Sequence, residues 1–221
     1  MPLFVFDLDG TLIDSRRDLA DAANALIEER GGAPVPVDAI ARMVGEGAAL
    51  LVRRALAAAG LDPKSPGALP RFLELYDERL LAHTTLYDGT REAIETLAAD
   101  APLAVLTNKP TRATMTILQA LGVAPLFRWV LGGDGPLPRK PDPASLQELM
   151  KRARTAPQQT VMIGDSPIDL ATARAARTRV CLVRYGFGFT SSELDLGPDD
   201  MLVDRPSDLV PLLRQSLIPD P

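Results

Sequence analysis

The run Leu3-Phe4-Val5-Phe6, which ends in Asp7-Leu8-Asp9-Gly10, sets the strongest limit on what this chain can fold into. Four consecutive large apolar residues without polar alternation read as a strand buried on both faces, as in parallel sheets covered by helices. Similar short runs follow at Leu103-Ala104-Val105-Leu106, Trp129-Val130-Leu131, Val161-Met162-Ile163 and Val180-Cys181-Leu182-Val183. Helical spacing fills 90–99, 112–121, 144–154 and 168–176 between them. Met201-Leu202-Val203 reads as an edge strand and 208–215 as a last helix. This alternation predicts an α/β fold with a doubly wound parallel sheet.

No convincing strand occurs between Ile13 and about Leu86. Ser15 is a candidate N-cap for a helix whose apolar positions include Leu19, Ala22, Ala23, Leu26 and Ile27 and which stops at Gly31-Gly32. A short helix over 38–43, a longer one over 48–59 and another over 71–82 follow, with a Pro- and Gly-rich connector at 62–70. The expected organisation is a core domain of residues 1–14 and 86–221, with an all-helical domain of residues 15–85 inserted after the first strand. At 221 residues, one domain with an insertion is a reasonable size.

Composition removes several function classes. Apolar residues at 46% support a sizeable core, and a formal net charge of −5 argues against a nucleic-acid grip. With Cys181 alone, no internal disulfide can form, and its apolar neighbours mark it as a packing residue. His83, the single histidine, lies in the helical insertion and reads as a surface or packing residue. The first residues lack the pattern of a secretory signal, and no stretch reaches the apolar length of a membrane span. A cytoplasmic protein without membrane contact is expected, as a monomer or homodimer.

In an open parallel sheet, ligands bind just beyond the carboxyl ends of the strands. The polar residues collect there: Asp7 and Asp9, then Thr107-Asn108-Lys109-Pro110, then Gly132-Gly133-Asp134 with Lys140-Pro141-Asp142-Pro143, then Gly164-Asp165-Ser166 with Asp169. Each has an ordinary alternative. Asp7 and Asp9 could simply form a turn before Gly10, Thr107-Asn108 could cap a helix, and Lys140 could be a solvated loop lysine. Asp169 reads equally as the acid of a shortened capping box begun by Ser166. Convergence of four loops on one crevice favours a site. Two carboxylates ~4 Å apart repel by about 4 kcal/mol at an effective dielectric near 20, so Asp7, Asp9 and Asp165 brought together call for a cation. An all-oxygen donor set selects a hard ion such as Mg²⁺. Carboxylates, Mg²⁺, a hydroxyl and a lysine suit a phosphate ester. Asp7 would attack phosphorus and Asp9 would act as general acid and base.

These motifs, together with Gly45-Glu46-Gly47-Ala48, Arg53-Arg54-Ala55-Leu56 and Tyr185-Gly186, resemble the haloacid dehalogenase superfamily of phosphatases and, within it, the bacterial phosphoglycolate phosphatases. The resemblance runs nearly end to end. It implies a Rossmann-like core with a mobile helical cap, Asp7 as nucleophile, Asp9 as general acid and base, and Thr107 and Lys140 as phosphate ligands. Asn108, Gly45 and Glu46 would also face the substrate. Mg²⁺ would be held by Asp7, Asp165 and the backbone carbonyl of Asp9, with Asp169 as a supporting acid. The implied substrate is a small phosphorylated metabolite, phosphoglycolate foremost. A family member carries Asn where Glu46 stands, so Glu46 puts an anion where an anionic substrate would be expected. Arg177 replaces a Gly usual after the fourth motif. A haloacid dehalogenase proper is disfavoured by Asp9, and a β-phosphoglucomutase-like phosphotransferase by Thr11. Retention of every expected catalytic group argues against a non-enzymatic binding relative.

Overall fold

The computed structural model describes residues 1–189 and 195–216. The first strand, β1 (Leu3–Phe6), is completely buried, and its alternation assigns each side chain to a layer. Leu3 and Val5 pack with Leu146, Leu149, Leu170 and Ala173 on one face of the sheet. Phe4 and Phe6 pack with Ile94, Leu97, Ile117 and Leu118 on the other. Full burial of each such side chain is worth roughly 1.5–3 kcal/mol. That is why the run cannot sit at a solvated edge.

A two-residue strand, β2 (Ile13–Asp14), leads into four helices, α1 (Arg16–Glu29), α2 (Val37–Ala41), α3 (Ala48–Ala58) and α4 (Ala68–Asp77). The chain returns through β3 (Thr85–Leu86), which pairs antiparallel with β2. It then alternates through α5 (Thr90–Asp100), β4 (Leu103–Leu106), α6 (Thr111–Ala120), β5 (Phe127–Leu131), α7 (Ala144–Ala153), β6 (Thr160–Gly164), α8 (Pro167–Ala176), β7 (Arg179–Val183), β8 (Met201–Val203) and α9 (Leu209–Ser216). The main sheet has the order β5-β4-β1-β6-β7-β8, and its pairings are parallel. From β1 the chain adds strands outward on one side, then crosses to build the other. The crevice at that switch opens between the carboxyl ends of β1 and β6. Among the described residues, no helix is long and apolar enough to cross a membrane.

Three local expectations change. The fourth inserted helix begins three residues before the expected 71, because Pro70 falls in its first turn, where a missing N–H is tolerated. It stops at Asp77 rather than 82. The chain beyond is drawn away by the buried carboxylate of Asp18, which accepts from the amides of His83 (3.0 Å) and Thr84 (2.8 Å). Ser15 occupies the N-cap of α1 but makes no side-chain cap bond; its hydroxyl is taken by Asp9. The region expected to lack strands is bounded by the β2–β3 ribbon, too short to show a sequence period. Arg177 sits at φ +59°, the left-handed region, which explains why glycine suits that helix end.

Candidate active site

Asp7 follows β1 directly, and its amide still donates to Ile163 of β6 (2.8 Å). The sheet thus fixes where its side chain emerges. Asp165 follows the neighbouring strand, so parallel pairing alone brings the two aspartates together. Asp169, in the first turn of α8, supplies a third carboxylate. One oxygen from each of Asp7, Asp165 and Asp169 lies within 4.8 Å of the others, and all three residues are buried. The packing is close enough to require glycines. A Cβ on Gly164 would sit 2.2 Å from the Asp169 carboxyl carbon, and one on Gly186 2.3 Å from Asp165 Cβ.

Lys140 reaches this group from the loop before α7. Its ammonium lies 2.9 Å from Asp7 Oδ1 and 2.7 Å from Asp169 Oδ1, with almost no solvent exposure. The two oxygens of Asp169 have different partners. Oδ2 accepts from the Ser166 amide and hydroxyl, completing a capping box, while Oδ1 takes Lys140. Asp165 accepts from the Gly188 amide (2.7 Å) and, at 3.5 Å, from the Thr11 hydroxyl.

The electrostatics are unbalanced. Burial pushes Asp7 up to about 6, against the pull of Lys140 and with the push of Asp169. Asp165 is held well above the usual carboxylate range by burial first, then by Asp169 and Asp7. Burial opposes the charge on Lys140, but Asp169 and Asp7 outweigh it and keep its pKa above the ordinary lysine range. Three carboxylates therefore face one ammonium, and Asp7 Oδ1 is a buried oxygen without an aligned hydrogen-bond donor. Crowded, under-neutralised oxygen ligands fit a hard divalent cation. Both oxygens of Asp169 are engaged, so Asp7 and Asp165 have the most capacity left to hold one.

The other expected residues divide. Thr107 is buried at the end of β4, and its hydroxyl accepts from the Lys109 amide (3.2 Å), which leaves its proton for a ligand. Asn108 donates to the carbonyls of Gly45 (2.8 Å) and Lys140 (3.0 Å) and accepts from the Lys140 amide (2.9 Å). It thereby ties the loop of the helical insertion to the loop carrying the lysine. Asp7, Asp9, Gly45, Thr107 and Asn108 line a common cavity of about 190 Å³, walled by apolar residues of α3 and α4 such as Leu51 and Phe72. Glu46 does not line it. It is exposed and paired with Arg54 at 2.5 Å, so its charge is neutralised outside the cavity. Asp9 stands apart from the carboxylate group. Its two oxygens each accept from Lys109 (2.8 Å), and Ser15 donates to Oδ1. Lys109 had no role assigned beyond its place in the Thr107–Pro110 motif, because local sequence cannot show that it meets Asp9 about a hundred residues away.

Residues 4–183 match the haloacid dehalogenase-like hydrolase family. The chain is a member of that family. Curated relatives named phosphoglycolate phosphatase include one from Rhodospirillum rubrum, 43% identical over 191 residues, covering 83% of this chain and 79% of that protein. Another, from Pseudomonas putida, is 37% identical over 218 residues, covering 95% and 78%. A crystal structure of a predicted phosphoglycolate phosphatase from Haemophilus somnus superposes with a TM-score of 0.87 at 29% identity, covering 96% of this chain and 97% of that one.

In this hydrolase the Asn108 bridge carries a testable load. Asn108→Ala removes two donors' worth of bonds and leaves the Lys140 amide unpaired in a buried site. Each such loss costs about 1–3 kcal/mol. The variant should unfold at lower denaturant by an amount of that order, with an unchanged denaturant slope. An unaltered midpoint would show that the bridge contributes nothing.

Proposed function

We propose that the chain is a Mg²⁺-dependent phosphatase of a small phosphomonoester, phosphoglycolate foremost, working through an aspartyl-phosphate. The observation that carries this reading is the buried Asp7 carboxylate 2.9 Å from the Lys140 ammonium at the mouth of the sheet crevice. Its support from outside the site is the name shared by the curated relatives. The enzyme is a phosphoric monoester hydrolase.

Mg²⁺, held by Asp7 and Asp165 with the Asp9 carbonyl, would offset charge on the phosphoryl oxygens. Lys140 and the hydroxyl of Thr107 bind those oxygens, and the ammonium strengthens its hold as charge builds in transfer. An Asp7 oxygen attacks phosphorus, the ester P–O bond breaks, and Asp9 gives its proton to the leaving oxygen. Asp9 then takes a proton from water, which attacks the acyl phosphate, releasing inorganic phosphate and restoring the Asp7 carboxylate. The helices of residues 15–85 act as a cap on a core of 1–14 and 86–221, excluding water and shaping the leaving-group side. The lone buried cysteine suits a cytoplasmic setting.

A panel of phosphorylated metabolites tests this. Phosphoglycolate should release free phosphate fastest. Chelation with EDTA should lower the rate by about 100-fold or more, and added Mg²⁺ should restore it. Turnover indifferent to EDTA would remove the metal from the reading. An isomerised sugar phosphate in place of free phosphate would point to a phosphotransferase.

A further inference from the structure

The proposed acid and base, Asp9, is not free to act as it stands. Both its oxygens lie 2.8 Å from Lys109 Nζ, and Ser15 donates to one of them. Lys109 is 6% exposed, and its ammonium also lies over the Tyr76 ring, 4.7 Å from the centroid. Tyr76 belongs to α4 of the helical insertion, so the pair is sealed between the two parts of the chain. A buried ammonium cannot give up its carboxylate partner without another anion in exchange. Of the residues lining the cavity, two are cations, Lys109 and Arg112. Arg112 is mostly exposed at the rim and already paired with Asp77. Asp77 and Asp134 also line it, Asp77 paired with Arg112 and Asp134 bonded to Thr111, and most of the remaining wall is apolar.

We propose that Lys109 is the receptor for a carboxylate carried by the substrate, and that this carboxylate, by replacing Asp9 as counterion, releases Asp9 to the leaving oxygen. The inference rests on the phosphatase reading and narrows it to monoesters that carry a carboxylate. Lys109 keeps a carboxylate partner throughout, while the substrate brings one further negative charge into the cavity. A monoester of equal length without the carboxylate would bind its phosphoryl group yet leave Asp9 held by the lysine. The penalty then falls on kcat as well as KM.

The test compares phosphoglycolate with ethyl phosphate, which has the same chain length and lacks the carboxylate. Wild-type enzyme with Mg²⁺ should favour phosphoglycolate by about 100-fold in kcat/KM, the worth of a charge-assisted bond in a buried site, with part of the difference in kcat. Lys109→Met should bring that ratio to within a few fold of one, and Lys109→Arg should keep most of it. Equal loss on both esters in Lys109→Met would reduce the lysine to a support and overturn the proposal. If Lys109→Met does not fold, the wild-type ratio decides alone, and a value near one overturns it. That result leaves phosphomonoester hydrolysis intact and removes only the preference for phosphoglycolate. Failure to hydrolyse either ester would instead remove that reading and this inference with it.

Discussion

Replacement of Asp7 by Asn should lower turnover by about 10⁴-fold or more while leaving the protein folded and as stable as before, or more so. The kinetic part follows from nucleophilicity. An amide oxygen cannot form the acyl phosphate, and loss of a nucleophile is among the largest single effects seen in enzymes. The stability part follows from charge. Asp7, Asp165 and Asp169 face Lys140 alone, and burial already holds Asp7 up at about 6. An uncharged, nearly isosteric side chain removes one of three crowded anions. Without divalent ions, at pH 7.5, its melting temperature should rise by about 2–8 °C, from a relief of about 1–2 kcal/mol. Added Mg²⁺ should narrow the gap, since the cation relieves the same crowding in the parent. Residual turnover within 100-fold of the parent would end the case for Asp7 as nucleophile. A melting temperature far below the parent would show that the carboxylate holds the fold together.

Lys140→Ala should do the opposite to stability. It leaves three buried carboxylates without their cation, and breaking a buried ion pair by removing one partner costs about 3–5 kcal/mol. For a chain of this length that is a fall of roughly 6–20 °C in melting temperature. Activity should drop by about 10³-fold, because the phosphoryl oxygens lose a buried ammonium. If charge crowding is the cause, adding Asp7→Asn to Lys140→Ala should recover part of the lost stability, a non-additivity that a double-mutant cycle measures. Strict additivity would locate the effect in lost packing of the lysine stem.

Much of this was legible from residues alone. Strands such as Leu3–Phe6 advertise themselves by continuous apolar character, and parallel pairing then determines which loops meet. Asp7 and Asp165 are neighbours because β1 and β6 are. Element ends were less legible. Pro70 reads as a breaker in isolation but is accommodated in a helix's first turn, and the tether from Asp18 to His83 and Thr84 spans some 65 residues. A longer separation, 100 residues, hid the pairing of Asp9 with Lys109. A carboxylate one residue removed from another looks like a metal ligand until its long-range partner is known. Glu46 misled for the converse reason. The family resemblance implied that its loop faces the substrate, while Arg54, 8 residues on, pairs with it outside the cavity.

The divided carboxylate of Asp169 has a consequence for durability. One of its oxygens begins a helix and the other steers the ammonium of Lys140. Fraying at the start of α8 would therefore also remove one of the two carboxylate contacts of Lys140. Heat inactivation should then track the loss of that helix start, which activity and amide exchange of α8 followed over one temperature ramp would check.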